Sequence, residues 1–216
     1  MLNHSSVTLF SLAFSSLFPL INPIGIALIV QNEFSGSGKN RIGDCFMTCT
    51  YSFVLGLLAL IFGRSFFAFM GISVPSTQIA GGILLSIMGI SLLNSDAKEK
   101  KHDVPQTHNM IDRLFYPIAF PLTMGPGSIS ALILLNAHAH ADDMHTYLVN
   151  LSIIALALFV IMIVTFFCFT YSGLIVDQIG QSGSIVINKF MSFIVFTIGV
   201  QMTIAGLKAQ FPSLLQ

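Results

Sequence analysis

The sequence predicts an all-α integral membrane protein: six transmembrane helices arranged as two inverted three-helix repeats, with discontinuous first and fourth helices. Three observations carry that prediction. Of 216 residues, 54% are hydrophobic and only 8% are charged, whereas soluble domains carry about 25% charged residues. Polar clusters divide the chain into six apolar stretches, most near the roughly 20 residues that a helix needs to cross hydrocarbon. Two of these stretches, in corresponding positions of the two halves, are interrupted by Pro and Gly at mid-span.

In chain order, the first span covers residues 6–31. It has neither a basic region ahead of it nor an A-x-A-like site behind it, so it reads as a retained span and not a removable signal peptide. Its length, like that of the fifth, is enough to tilt, bend or break. The second span, 46–69, carries Ser52, Gly56, Ala59 and Gly63 at helical spacing, and the third, 78–93, carries Gly82, Ser86 and Gly89. Small-residue faces of this kind let helix backbones approach closely, either within one molecule or at a dimer seam. The third span is short unless its helix starts near Val74. A polar stretch with Lys98, Glu99, Lys100, Lys101 and Pro105 follows, making residues 95–113 a linker between a first repeat, 1–94, and a second, 114–216. The fourth, fifth and sixth spans cover 115–136, 147–176 and 187–207.

With six spans, Lys39, Arg41, Lys98, Lys100, Lys101, Arg113 and Lys189 fall on one side of the membrane, and Arg64 and Lys208 on the other. Cytoplasmic loops carry the excess of Lys and Arg, so both termini are expected outside the cytoplasm and the linker within it. Three spans per half force the second half to enter from the opposite face, the inverted arrangement of many secondary transporters.

The halves share local chemistry. Phe18-Pro19-Leu20 followed by Asn22-Pro23 is echoed by Phe120-Pro121-Leu122 followed by Gly125-Pro126. Ala80-Gly81-Gly82 leading to Gly89 is likewise paralleled by Phe190-Met191-Ser192 leading to Gly199. A proline inside a helix removes a donor, clashes with the carbonyl one turn back and pushes its predecessor out of the α region. Gly25, Gly125 and Gly127 add conformational freedom, which favours local unwinding over a simple kink. Packing kinks are the alternative, since Pro and Gly are frequent in membrane helices.

Irregular backbone at membrane depth persists only inside protein or beside a water-filled cavity. The half-helix N-terminus after a break suits a carboxylate, and exposed carbonyls suit an ammonium, so one break can hold a zwitterion. The candidate substrate-binding residues are therefore Asn22, Pro23, Gly25, Thr123, Gly125, Pro126, Gly127, Ser128 and Ser130.

Other features narrow the class. Lys plus Arg and Asp plus Glu number nine each, so nothing points to nucleic acid. All nine carboxylates fall in loops or near span ends, which disfavours a mid-membrane proton relay and a strongly charged substrate. A small neutral or zwitterionic solute in a lipid bilayer setting fits; a coupling ion and a homo-oligomer both stay open. Cys45, Cys49 and Cys168 match neither a disulfide framework nor a zinc pattern and read as small apolar packing. His138, His140, Asp142, Asp143 and His145 have metal-ligand chemistry without a metal-site spacing, so they read as solvated loop. No metal or cofactor is expected, and with no nucleophile and base pair apparent, no enzymatic activity is either. The competing function is a non-transporting membrane scaffold or regulator whose breaks shape a docking surface.

Asn22-Pro23-Ile24-Gly25 and the run from Pro117 through Gly125-Pro126-Gly127 to Ser130 resemble the MarC-related (UPF0056) family of bacterial and archaeal membrane proteins. Phe69-Met70-Gly71-Ile72-Ser73, Ala80 to Leu85 and Met191 to Gly206 extend the resemblance over nearly the whole chain. It implies six spans in the cytoplasmic (inner) membrane and, by similarity to archaeal members, transport of a neutral amino acid. Leu28 stands where family members often have a further proline after this motif.

Overall fold

The computed structural model describes residues 4–35, 41–94, 113–141 and 143–211. The expected linker therefore lies outside the described residues up to residue 112, as does Asp142. Seven helices are described: α1 His4–Ile21, α2 Pro23–Ser35, α3 Arg41–Phe69, α4 Val74–Asn94, α5 Pro126–Ala139, α6 Met144–Thr170 and α7 Ser172–Gln210. An irregular segment, Leu114–Thr123, leads into α5. Among the described residues, five stretches are long and apolar enough to span a bilayer: Ser6–Leu28, Arg41–Phe69, Val74–Asn94, Met144–Thr170 and Ile185–Gln210. A sixth results if Leu114–Thr123 and Pro126–Ala139, bent by 60°, count as one broken span.

Local chemistry sets the boundaries. Gly71 takes φ 73°, and the N–H groups of Ile72 and Gly71 reach back to Phe67 O at 2.8 Å and Ala68 O at 3.0 Å. This crossed pair satisfies the last carbonyls of α3 and stops it. Ser73 Oγ then accepts the Ser76 N–H at 3.2 Å, capping α4. The third span thus starts at Val74, giving it full length. The fifth ends at Thr170, short of the expected residue 176, because Arg41 Nη2 donates to Phe169 O at 3.1 Å and to Ser172 Oγ at 2.6 Å. The sixth helix begins at Ser172, earlier than expected, and is broken at Gly180 (φ 72°) ahead of its spanning part.

Two apolar clusters form the interior. One gathers Leu17, Leu20 and Ile21 of α1, Leu60 of α3, Met124, Leu132 of α5 and Ile154 to Met162 of α6. The other gathers Ile26 to Phe34 of α2, Cys45 and Cys49 of α3, Leu114, Ile118 and Phe169. The small-residue faces are spent inside the molecule. Gly56 faces Leu158 and Met124, and Gly63 faces Ile133. α4 packs most extensively on α7, with Gly82 against Gly199 O and Thr203, Gly89 against Phe196, and Gly206 against Ile79. Rising numbers on α4 meet falling numbers on α7, so the pair is antiparallel, closed at its ends by Ser73 to Gln210 and by Lys189 Nζ donating to Leu93 O.

Candidate functional site

The first break is one residue long. Asn22 adopts φ 48°, a left-handed conformation that Asn tolerates better than most residues. The helical ladder still reaches it from both sides: Asn22 N–H donates to Phe18 O at 2.9 Å, and Ile26 N–H donates to Asn22 O at 3.0 Å. Pro23 has no N–H to give to Pro19 O. Asn22 Oδ1 accepts the Gly25 N–H at 3.1 Å, so the side chain caps the N-terminus of α2. Gly25 is what makes room for it, since a Cβ there would stand 2.3 Å from Asn22 Nδ2.

The second break is longer. Tyr116 (φ −121°, ψ 122°) and Phe120 (φ −133°, ψ 130°) are extended, as residues before proline prefer, and the peptide bonds to Pro117 and Pro121 are cis. Met124 N–H reaches Ala119 O at 2.9 Å and Thr123 Oγ1 donates to Ile118 O at 2.8 Å, each spanning five residues and so a wider turn than an α-helix makes. Gly125 is extended (φ −83°, ψ 174°), with Pro121 O 2.8 Å from where a Cβ would sit. Pro126 then opens α5 at a position whose N–H would be unbonded anyway.

Both breaks lie at the seam between the two apolar clusters. Leu20 and Ile21, just before Asn22, share one cluster with Met124, just before Gly125. Ile26 and Ala27, just after the first break, share the other with Leu114 and Ile118, before the second. Pro23, Gly25, Thr123, Gly127, Ser128 and Ser130 are buried, Asn22 and Gly125 half-buried, and Pro126 exposed. Gly127 and Ser130 face α4: a Cβ on Gly127 would lie 2.4 Å from the Leu85 side chain, and one on Gly81 would lie 2.4 Å from Ser130 Oγ.

Three buried hydroxyls that the sequence reading did not select as site residues join this seam or lead to it. Ser52 Oγ, donating to Thr48 O at 2.9 Å, also stands 3.5 Å from Ala119 O, and Thr165 Oγ1 donates to Ile161 O at 2.8 Å. Thr48, Ser52, Thr123 and Thr165 are all 0% exposed. The signal for the α3 members was the four-residue spacing of Asp44, Thr48, Ser52 and Gly56. Asn136, 1% exposed, donates to Leu60 O at 2.7 Å and to Tyr147 Oη at 3.1 Å, tying α5 to α3 and α6 beyond the seam. Ser52, Thr123 and Thr165 are thus polar, uncharged and fully buried, each donating to a main-chain carbonyl.

The histidine-rich loop is built differently. Asp143 caps α6, accepting from Thr146 N–H at 2.9 Å and Thr146 Oγ1 at 3.1 Å, and these bonds hold its carboxyl below the usual carboxylate range. His138 Nδ1 pairs with Leu134 O at 2.9 Å, and His140 meets the Tyr147 ring edge-on. Among the described residues no three His, Cys, Asp or Glu side chains gather where they could hold a metal ion.

The description "MarC family integral membrane protein" matches residues 7–211 of the chain. A UPF0056 membrane protein of Methanocaldococcus jannaschii is 29% identical over 202 residues, covering 92% of this chain and 96% of the relative. One from Buchnera aphidicola subsp. Baizongia pistaciae is 31% identical, covering 91% of each chain. The UPF0056 inner membrane protein MarC of Salmonella typhimurium is 29% identical, covering 88% of this chain and 90% of the relative. No solved structure matches.

Proposed function

This chain belongs to the MarC family of integral membrane proteins, and on that premise we propose that it is a secondary transporter of a small neutral or zwitterionic solute, with a neutral amino acid as the substrate class. The observation that carries the reading is the seam. In each half the chain leaves one apolar cluster and enters the other at its helix break, and the surroundings are buried hydroxyls. Freed carbonyls and half-helix N-termini at that depth meet the two ends of a zwitterion.

The inverted repeat belongs to the same proposal. α1 packs on α6 as the irregular segment packs on α3, α2 on α6 as α5 on α3, and α4 on α5 as α7 on α2. α3 with α6, and α4 with α7, would straddle the two-fold axis. In this arrangement both termini lie outside the cytoplasm, and residues 95–113 connect the halves within it. The solute would bind among Asn22, Pro23, Gly25, Thr123, Gly125, Pro126 and Ser128, whereas Gly127 and Ser130, expected with them, turn toward Leu85 and Gly81 of α4.

Purified protein in proteoliposomes tests this directly. Saturable uptake of a labelled neutral amino acid, competed by unlabelled solute and lost in Asn22→Ala and Gly125→Val proteins that still unfold cooperatively, is the expected outcome. Unchanged uptake by both variants, or none by the wild type across the neutral amino acids, would remove the proposal.

A further inference from the structure

The face of α7 turned away from α4 carries a side chain at odds with lipid. Phe193, Thr197, Val200, Gln201 and Ile204 are exposed and share one stripe of the helix, opposite the side on which Gly199 and Thr203 meet Gly82. The antiparallel pair of α4 and α7 gives the depth of each residue. Its ends are tied at Ser73 with Gln210 and at Leu93 with Lys189, and the contact of Gly82 with Gly199 falls halfway between them. Gln201 follows Gly199 by two residues, about 3 Å along the helix axis. In a pair of helices that each cross the bilayer, its amide therefore faces outward near mid-membrane.

Three other outward-facing polar side chains are satisfied within their own helices. Thr50 Oγ1 donates to Phe46 O at 2.8 Å, Ser152 Oγ to Leu148 O at 2.8 Å and Thr197 Oγ1 to Phe193 O at 2.9 Å. The Gln201 amide makes no hydrogen bond among the described residues. Hydrocarbon offers it neither donor nor acceptor, so an amide left there is costly. Polar side chains of this kind hold membrane helices together by bonding across the contact.

We propose that this face of α7 is the interface of a homodimer in which the two Gln201 amides bond to each other across a two-fold axis along the membrane normal. A primary amide is both donor and acceptor, so it is complementary to a copy of itself. The axis keeps every residue of the second copy at its own depth, so one Gln201 meets the other at the same level, as an isologous contact requires. An unrelated helix would need a polar group of its own at that level, and lipid headgroups lie half a bilayer away. Phe193, Val200 and Ile204 then pack around the amide pair. Lys208, on the same stripe, falls in the last turn of α7, where its long chain reaches the headgroups and its ammonium stays hydrated. The dimer holds whatever solute each copy carries, since none of these residues belongs to either helix break.

The test uses purified protein, carrying one fluorophore per chain, in phosphatidylcholine vesicles at falling protein-to-lipid ratios, with subunits counted by photobleaching. Wild type is expected to pass from dimer to monomer as lipid dilutes it. Gln201→Leu should need a roughly tenfold higher density to dimerise, and as a monomer should melt no lower than monomeric wild type, because the amide has no partner within its own chain. Mild oxidation with copper phenanthroline should cross-link Gln201→Cys protein to a dimer and leave Phe159→Cys protein, altered on an exposed part of α6, uncross-linked. Wild type that stays monomeric at every density, Gln201→Leu that dimerises as wild type does, or cross-linking through Phe159→Cys and not through Gln201→Cys would overturn the interface.

Discussion

The two breaks begin from nearly the same words, Phe-Pro-Leu followed by Asn-Pro in one half and by Gly-Pro in the other, yet they fold differently. At the first, the side chain of Asn22 replaces the missing main-chain partner by accepting from Gly25, and the span Ser6–Leu28 still reads as one. At the second, no side chain is available at Gly125 to do this. Two pre-proline residues are extended, and the flanking pieces bend by 60°. A break that caps itself stays narrow, and one that must find partners elsewhere spreads over a whole segment.

Substitutions at the glycines separate these designs most sharply. Gly127→Leu drives a side chain into Leu85, and overpacking of this kind costs about 1–3 kcal/mol. Thermal unfolding should show the largest loss there, with partial rescue by Leu85→Ala. At the first break, Asn22→Ala should cost about 1 kcal/mol for the lost cap, and more for placing alanine at φ 48°. Asn22→Gly should cost only about a few tenths of a kcal/mol. If Asn22→Gly proves as damaging as Asn22→Ala in the same melts, the side chain does more than hold a turn.

Smaller effects test the surroundings. Arg41→Met removes both bonds to the end of α6 and should lower stability by about 1 kcal/mol, with Arg41→Lys restoring part of it. The smallest change is expected at Asp143. Its carboxyl is held below the ordinary range by Thr146, so its contribution is present above the unfolded-state pKa and is lost as pH falls through the lower folded-state value. Comparing melts of wild type and Asp143→Asn across the acid range should reveal a small difference that closes as the pH drops.

Much of the architecture was legible because hydrocarbon thickness imposes a length on each span, and Asn22-Pro23 and Gly125-Pro126-Gly127 announce helix interruptions wherever they fall. The unequal width of the breaks was not, since it depends on whether a side chain can turn back on its own helix. The packing face of α3 was legible in the helical spacing of Ser52, Gly56 and Gly63, but the interior role of Thr165 was not: a span apolar on every side, such as α6, gives no period from which to tell its inner face from its lipid face. Asp44 was rightly placed near a span end, but only the packing of α3 against the end of α6 makes that position an enclosed one.

The glycine contacts between α4 and α7 have a consequence for biosynthesis. Gly82 and Gly89 leave a groove in α4 that Gly199, Thr203 and Phe196 fill, and those partners emerge from the ribosome only after about half of the chain has followed. Until then α4 waits in the lipid without its mate. The opening half of the protein therefore cannot finish assembling before its last helix arrives, and truncation ahead of Ile185 would strand a helix made long before.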